Sequence, residues 1–234
     1  MAVLLLRIAG PMQSWGTQSR FTHRDTDLEP SKSGVIGLLC AAMGKPRDDL
    51  TAIKELAGLK MGVRVDRQGT LKRDFNTAQN VAKAGGDGTK DCELSNRFYL
   101  ADACFLVGLL GELTPLEKVQ KSLTDPVWQM YLGRKAFVPG LPVYLPDGLL
   151  PDSIDLFIAL KNYCYLLPQR RREVPDYLRI EIETEFGQGD RVKQDQPISF
   201  ISADRQFGLR YVKSERVESA HLPPAKEASC IFLA

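Results

Sequence analysis

A short loop at residues 10–16 combines the residue types that bind single-stranded nucleic acid. Glycine stands at both ends of the loop, with Gln13, Ser14 and Trp15 between them. Glycine lets the backbone approach a ligand closely, amide and hydroxyl groups can hydrogen-bond a phosphate or a base edge, and an indole ring can stack on a base. The same tryptophan could instead fill the core beneath a helix. The loop is therefore a candidate nucleic-acid contact with a structural alternative.

A second candidate site opens the first predicted helix, at residues 30–34. Lys32 and Ser33 lie there at a helix N-terminus, where free backbone N–H groups can hold a phosphate. No G-x-x-x-x-G-K-[ST] motif precedes them, so the sequence does not indicate a nucleotide-hydrolysing loop. The same residues could serve only to cap the helix, with Ser31 as the capping residue.

A third candidate site is a turn that combines an aromatic ring, a flexible residue and two adjacent cations. The ring can receive an unstacked base while the cations hold a kinked phosphate backbone. The functional residues of this turn are Tyr131, Gly133, Arg134 and Lys135.

The charge distribution favours a local rather than a global nucleic-acid surface. The whole chain has a formal net charge of only +2, but basic residues outnumber acidic ones within the first 47 residues. A strong overall attraction to nucleic acid is therefore not expected, and a local patch is favoured. The further candidate RNA-binding cations of this segment are Arg20, Arg24 and Arg47.

Patterns typical of catalysis or metal binding are scarce. His23 and His221 are the two histidines, and neither lies in a motif with a partner acid or nucleophile. The five cysteines include no C-x-x-C pair, and no carboxylate cluster or H-x-x-H spacing indicates a metal nuclease. We therefore expect no metal, no cofactor and no catalytic residue. Since scattered Tyr, Lys and His residues can cut RNA, a metal-independent endoribonuclease is the alternative, with His23 as base and Tyr131 or Lys135 nearby.

Composition indicates a folded chain without membrane segments. Charged residues make up 26% and hydrophobic residues 44%, close to the averages of soluble globular proteins. The longest apolar run, around residues 103–110, is far shorter than the roughly 20 residues of a spanning helix. Arg7 interrupts the short apolar N-terminus, so a signal peptide is not predicted. We expect a cytoplasmic protein.

Hydrophobic periodicity predicts an α+β fold for residues 1–150. Aliphatic runs and alternation favour strands, and three-and-four spacing after a capping residue favours helices. In chain order we predict a strand at 2–8, a helix from Ser31 to about Gly44, a helix at 50–57, a strand at 60–66, a long hairpin of residues 70–80 and 99–110 with a glycine-rich tip, a helix after Pro115, and a strand near 142–145. This βαββαβ order is typical of a ferredoxin-like palm.

The C-terminal region, residues 151–234, is predicted to form a small β-rich lobe. Residues 177–186 alternate like a strand, residues 206–217 look like a final strand, and residues 187–197 look like a polar loop.

Five segments of the sequence resemble the fifth CRISPR-associated protein family, in its type I-E branch. They occur in family order over more than half of the chain, and they are specific together although each alone is weak. They are L-R-I-A-G-P-M-Q-S-W-G at 6–16, P-S-K-S-G-V-I-G-L-L at 30–39, R-D-D at 47–49, Y-L-A-D-A-C-F at 99–105 and Y-L-G-R-K at 131–135.

This resemblance implies an RNA-recognition-like (RRM-like) palm, a protruding β-hairpin thumb at about residues 76–100 and a small second lobe. Members of this branch cap the 5′ handle of the CRISPR RNA in the Cascade surveillance complex. The implied partners are therefore the CRISPR RNA, the backbone subunit, the large subunit and, indirectly through the complex, target DNA, with no membrane partner. The cations of the thumb that would contact a partner are Arg73, Lys83, Lys90 and Arg97.

A sister branch of the family, in type I-C systems, cleaves the repeat RNA itself. The G-P-M-Q-x-W form at residues 10–15 and the Y-L-G-R form at residues 131–134 resemble the non-cutting branch. The resemblance therefore implies a non-catalytic RNA-binding subunit in antiviral defence, with the endoribonuclease as the alternative.

Overall fold

The fold combines a seven-stranded sheet, a second sheet built around a long hairpin, and four helices. A computed structural model describes residues 1–16, 22–83, 85–151, 154–167, 174–219 and 222, and these counts refer to those residues. The helices are α1 (Lys32–Ala42), α2 (Leu50–Ala57), α3 (Leu113–Thr124) and α4 (Leu156–Asn162). The strands are β1 (Ala2–Ala9), β2 (Met12–Gln13), β3 (His23–Arg24), β4 (Lys60–Arg67), β5 (Thr70–Ala82), β6 (Thr89–Ala101), β7 (Cys104–Gly111), β8 (Tyr144–Leu150), β9 (Tyr177–Thr184), β10 (Arg191–Ser199) and β11 (Gln206–Glu218).

The central sheet has the strand order β10-β11-β9-β4-β7-β1-β8, and all its neighbouring strands pair antiparallel. All eight residues of β1 are buried. Because successive side chains of a strand point to opposite faces, Leu4 and Leu6 pack with α1 and α3, whereas Val3 and Leu5 pack with α4. Helices therefore cover both faces of the sheet at β1, which explains the aliphatic run of this strand.

The predicted helices of the first half are confirmed. The Ser31 hydroxyl accepts a hydrogen bond from the Gly34 N–H at 3.3 Å and so caps α1. Gly44, with a φ of 65°, follows the end of this helix, and Gly58 caps the C-terminus of α2. Among the helices in the described residues, none is long and apolar enough to cross a bilayer.

Two strand predictions are wrong, one for residues 99–110 and one for residues 187–197. Residues 99–110 do not form one strand, because β6 ends at Ala101 and β7 begins at Cys104. Asp102 lies between them with a φ of 56°, a left-handed conformation that turns the chain from the hairpin into the central sheet. Residues 187–197 are not simply a polar loop, because β10 covers most of them and pairs with β11.

The polar residues of β10 are compatible with a strand because the buried ones are paired. The carboxylate of Asp195 accepts from Nε and Nη2 of Arg210 on the neighbouring strand, at 2.8 and 2.7 Å. Burial raises the pKa of this carboxyl, but the hydrogen bonds and the charge of Arg210, together with smaller contributions from its other neighbours, lower the pKa overall. Strands β9, β10 and β11 extend the central sheet through β4, so the division into a palm at 1–150 and a lobe at 151–234 stays a prediction.

The hairpin of β5 and β6 is paired from its base, at Thr70 and Ala101, to Ala82 and Thr89 near its tip. Gly86 and Gly88 in the tip have positive φ angles, as a tight turn requires. Its side chains alternate, so that Leu71, Phe75 and Leu94 are exposed on one face.

A buried ion pair fixes the segment after α4 to β4. The guanidinium of Arg64 is fully buried and donates to both carboxylate oxygens of Asp66, at 2.6 and 2.9 Å. It also donates to the backbone carbonyls of Leu160, Tyr163 and Cys164. The charge is therefore compensated and its donors are satisfied, as a buried ion requires.

Candidate nucleic-acid interface

Four parts of the chain that are distant in sequence line one open cleft of about 580 Å³ beside α1. They are the loop at 10–16, α1 with the residues flanking it, the segment 128–135, and the segment 200–207. The first three contain the candidate sites that the sequence predicts. The fold therefore brings these three sites to one surface.

Small residues of α1 form one wall of the cleft. A Cβ atom added to Gly34 would lie 2.8 Å from Cε3 of Trp15, so this glycine lets the helix pack on the indole ring. A Cβ atom added to Gly37 would meet no other atom within 4 Å, so this position faces open space. The cleft therefore meets the backbone of α1 at these two glycines, with open space beside Gly37.

The side chains of Gln13, Ser14 and Trp15, in the loop at residues 10–16, are buried at the base of the cleft and are hydrogen-bonded within the core. The Trp15 side chain is only 1% exposed and its Nε1 donates to Oε1 of Gln13 at 3.3 Å, while Nε2 of the buried Gln13 donates to the Ala103 carbonyl at 2.8 Å. Ser14 is buried, with its hydroxyl 3.3 Å from the Phe98 carbonyl. These contacts match the structural alternative for Trp15, and an RNA contact by Gln13 or Trp15 would need this core to open.

The sequence predicts that Lys32 binds phosphate through its ammonium and a free backbone N–H at the helix N-terminus. In the fold, both groups are bonded to carboxylates instead. Nζ of Lys32 lies 3.0 and 2.9 Å from the two carboxylate oxygens of Glu183, and its backbone N–H donates to Asp195 at 2.8 Å. The side chain is buried, and burial lowers the pKa of its ammonium although Glu183 acts in the opposite direction. Carboxylates of the C-terminal strands thus occupy the place predicted for a phosphate. Ser33 differs, because it is only partly buried and lines the cleft.

The turn at residues 131–135 packs directly on the loop at 10–16. The Ser14 N–H donates to the Leu132 carbonyl at 3.0 Å. Gly133 has a φ of 94°, and a Cβ atom there would lie 1.7 Å from the Ser14 carbonyl oxygen, so only glycine fits. Tyr131 and Lys135 line the cleft on either side of this glycine.

The cleft is cationic. None of the described residues that line it is acidic. Nζ of Lys45 lies 3.6 Å from Oδ2 of Asp49, which does not line the cleft. Arg47 and Lys135 are exposed. A phosphate backbone in this cleft would meet positive charges without a carboxylate in the lining. The four cations that line it are Lys45, Arg47, Lys135 and Arg205.

The sequence missed three aromatic residues of the cleft. Trp128 is 46% exposed at its rim, and Phe200 and Phe207 contact each other with ring centroids 6.5 Å apart. The exposed tryptophan two residues after Pro126 could have been noticed, because it follows the end of a predicted helix. Phe200 follows the segment predicted as a polar loop, residues 187–197, and Phe207 lies within the predicted final strand, residues 206–217. Nothing local indicates that these two residues face α1.

Comparison with known proteins identifies the family of this chain. The model of the family described as CRISPR-associated protein (Cas_Cas5) matches residues 3–213. The chain belongs to this Cas5 family. The resemblance of the five sequence segments to the fifth CRISPR-associated protein family is thereby confirmed.

Individual relatives of this Cas5 chain agree over most of their length. CRISPR system Cascade subunit CasD of Escherichia coli (strain K12) is 34% identical over 176 residues, which are 68% of this chain and 76% of the relative. A chain in a structure named "Crystal structure of Cas protein" is 42% identical, with a TM-score of 0.75 over 95% of this chain and 98% of that chain. A chain in "CRISPR RNA-guided surveillance complex" is 34% identical, with a TM-score of 0.76 over 97% of each chain.

Arg134 of this Cas5 chain lies outside the cleft, at the base of the hairpin. Its Nη2 donates to the Phe98 carbonyl at 2.9 Å, and its guanidinium lies 5.3 Å from the centroid of the Phe137 ring. Partial burial lowers the pKa of Arg134, and the neighbouring charges of Arg97 and Arg24 lower it further. These three arginines form a second cationic group, which β3 and β6 bring together by pairing.

The remaining predicted cations of the Cas5 chain do not gather at the cleft. Arg73 is exposed on β5, Lys83 is exposed beside the tip, and Lys90 pairs with Glu93. They are spread along the hairpin and do not form a cluster. Arg20 lies outside the described residues.

The described residues of this Cas5 chain provide no metal site. Within them, no group of three or more His, Cys, Asp or Glu side chains could hold a metal. His23 is exposed, with Nδ1 3.3 Å from the Thr22 hydroxyl, and it is not among the residues that line the cleft. The endoribonuclease with His23 as base therefore stays the alternative prediction. His221 lies outside the described residues.

Proposed function

We propose that this Cas5-family chain is a non-catalytic subunit of a Cascade-type surveillance complex that binds the 5′ handle of the CRISPR RNA. The observation that carries this proposal is the cleft, which joins four cations and the exposed ring of Trp128, and in which none of the described lining residues is acidic. The E. coli relative is named as a Cascade subunit, and a similar solved chain is named within a CRISPR RNA-guided surveillance complex. The cytoplasmic location expected from the sequence is part of this proposal.

We infer that β1, α1, β4, β7, α3 and β8 form a ferredoxin-like palm. Its support is the antiparallel order β4-β7-β1-β8, with α1 between β1 and β4 in the chain and α3 between β7 and β8. An RNA-recognition module stacks bases on the open face of such a sheet. Here helices cover both faces at β1, so RNA would bind in the cleft beside α1 instead.

We further propose that the hairpin is the thumb that contacts the backbone subunit. The exposed apolar side chains of one face, those of Leu71, Phe75 and Leu94, would be covered in such a contact. Arg73, which lies between Leu71 and Phe75 on the same face, would supply a polar contact there, and Lys83, Lys90 and Arg97 would supply others along the hairpin. The large subunit would dock on the remaining surface, residues 151–234 would form a lobe, and target DNA would be reached only through the complex.

The test of the proposed function is RNA binding without cleavage. Purified protein is incubated in EDTA with a labelled single-stranded RNA that carries the repeat-derived 5′ handle, and both binding and RNA length are followed. We expect a stable complex with intact RNA. A defined cut that disappears in His23→Ala would establish the endoribonuclease instead, and no binding at all would contradict the proposed function.

Substitution of cleft cations is expected to reduce the salt dependence of RNA binding. The logarithm of the binding constant falls linearly with the logarithm of the salt concentration. Arg47→Ala and Lys135→Ala should each make this negative slope less steep by about 0.7, the value for one phosphate contact on a single strand. Lys161→Ala is the matched control, because Lys161 is exposed on α4 at the opposite face of the sheet. Equal slopes in all three variants and the wild type would remove these two residues from the interface.

A further inference from the structure

Trp128 lies at the rim of the cleft on a fixed backbone. Its N–H donates to the Ala41 carbonyl at 3.1 Å, and the Val127 N–H donates to the Ala42 carbonyl at 2.9 Å. These carbonyls belong to the last turn of α1, where a helix leaves acceptors unsatisfied. An added Cβ atom at Gly44 would lie 2.8 Å from Cγ1 of Val127, so the glycine lets this segment lie close to the helix end. The segment is thus docked on α1 and presents the indole to the cleft.

The exposure of this indole is unusual for its size. Tryptophan is mostly buried in folded proteins, yet Trp128 is 46% exposed while it lines a cleft. Tyr131, Phe200 and Phe207 line the same cleft, and so do the cations Arg47 and Lys135. Rings provide stacking surfaces for bases, and cations hold the phosphates that join the bases. This combination favours a single-stranded nucleotide over an apolar peptide, which would leave the cations unpaired.

Building on the proposed function, we propose that Trp128 is the stacking platform for one unstacked base of the bound RNA. The base would lie against the exposed indole face, with its phosphates near Arg47 and Lys135. The tryptophan selects for an unpaired base rather than for its identity, because every base has a π-face. Discrimination between bases would then come from hydrogen bonds elsewhere.

The two tryptophans of the chain make this stacking directly observable. Trp15 is 1% exposed in the core, so Trp128 is the one that RNA can reach. In the full-length protein, titration with the single-stranded handle RNA should quench tryptophan fluorescence. The quenching should vanish in Trp128→Phe, which keeps Trp15 and a smaller ring.

The energetic test combines protein variants with abasic RNA. Trp128→Ala should weaken binding of the handle RNA roughly fivefold to 150-fold, and Trp128→Phe should weaken it less. A series of RNAs is prepared, each with one abasic nucleotide at a different position. One RNA of this series should bind the wild type about as weakly as the intact RNA binds Trp128→Ala. That abasic position should have little further effect in Trp128→Ala, because both changes remove the same contact.

The outcomes separate this inference from the proposed function. If the wild type binds the RNA but its fluorescence is unchanged and Trp128→Ala binds equally well, the stacking role is wrong and the proposed function stands. If the effects of every abasic position and Trp128→Ala are additive, the base does not lie on Trp128. If the wild type binds no RNA, both fail. Where Trp128→Ala does not fold, the fluorescence of the wild type with the abasic series keeps the test decisive, because the RNA that lacks the base on Trp128 should bind without the quenching that the other RNAs cause.

Discussion

Replacing Gly37 by leucine is expected to remove most RNA binding while the protein stays folded. An added Cβ atom at this position meets no atom within 4 Å, and the residue lines the cleft, so the leucine side chain would project into the space proposed for RNA. Glycine inside a helix costs about 1 kcal/mol relative to alanine, and leucine is also a good helix former, so α1 should not lose stability. Exclusion of one stacked base corresponds to about 1–3 kcal/mol, so we expect binding to weaken roughly fivefold to 150-fold.

Gly37→Ala is the matched control for this prediction. It gives the helix the same favourable change in backbone propensity but adds only a methyl group to the cleft. We expect both variants to melt at or above the wild-type temperature, and only the leucine variant to lose affinity for the handle RNA in a fluorescence anisotropy titration. If the leucine variant binds RNA as tightly as the alanine variant, then RNA does not occupy the cleft at α1.

Asp66→Ala is expected to destabilise the fold more than any surface substitution. The substitution would leave the fully buried guanidinium of Arg64 without its carboxylate, and it would also remove the acceptor of the Leu166 N–H. Removing one partner of a buried ion pair costs about 3–5 kcal/mol. For a chain of this size, that corresponds to a melting temperature lower by roughly 6–20 °C.

Glu215→Ala provides the comparison for the buried pair. It removes a carboxylate that pairs with Lys213, but both side chains are largely exposed. Exposed ion pairs contribute little to stability, so the melting temperature should be nearly unchanged. Thermal unfolding of the two variants checks this difference, and similar melting temperatures would mean that the Arg64 charge is compensated in another way.

Features governed by neighbouring residues could be predicted from the sequence. The cap at Ser31, the end of α2 at Gly58 and the aliphatic run of β1 depend on residues within one element, so their patterns indicate them directly. The three candidate segments were also recognised, and the fold does bring them to one cleft.

Features governed by distant residues could not be predicted in this way. Lys32 looked like a phosphate ligand because its partner Glu183 lies 151 residues away in the sequence. β10 looked like a loop because the Arg210 that neutralises Asp195 belongs to another strand. Phe200 and Phe207 were missed for the same reason, since only the sheet topology carries the segment 200–207 to α1.

The central claim is that the cleft beside α1 holds the 5′ handle of the guide RNA. The most direct measurement is photo-crosslinking in a complex reconstituted with guide RNA that carries a photoreactive nucleotide at successive handle positions, followed by mass spectrometry of the linked peptides. We predict crosslinks to peptides that contain Arg47, Trp128, Lys135 or Arg205, concentrated at one or a few handle positions. Crosslinks to this chain that fall only outside these peptides, for example on α4 at the opposite face of the sheet, would contradict the claim.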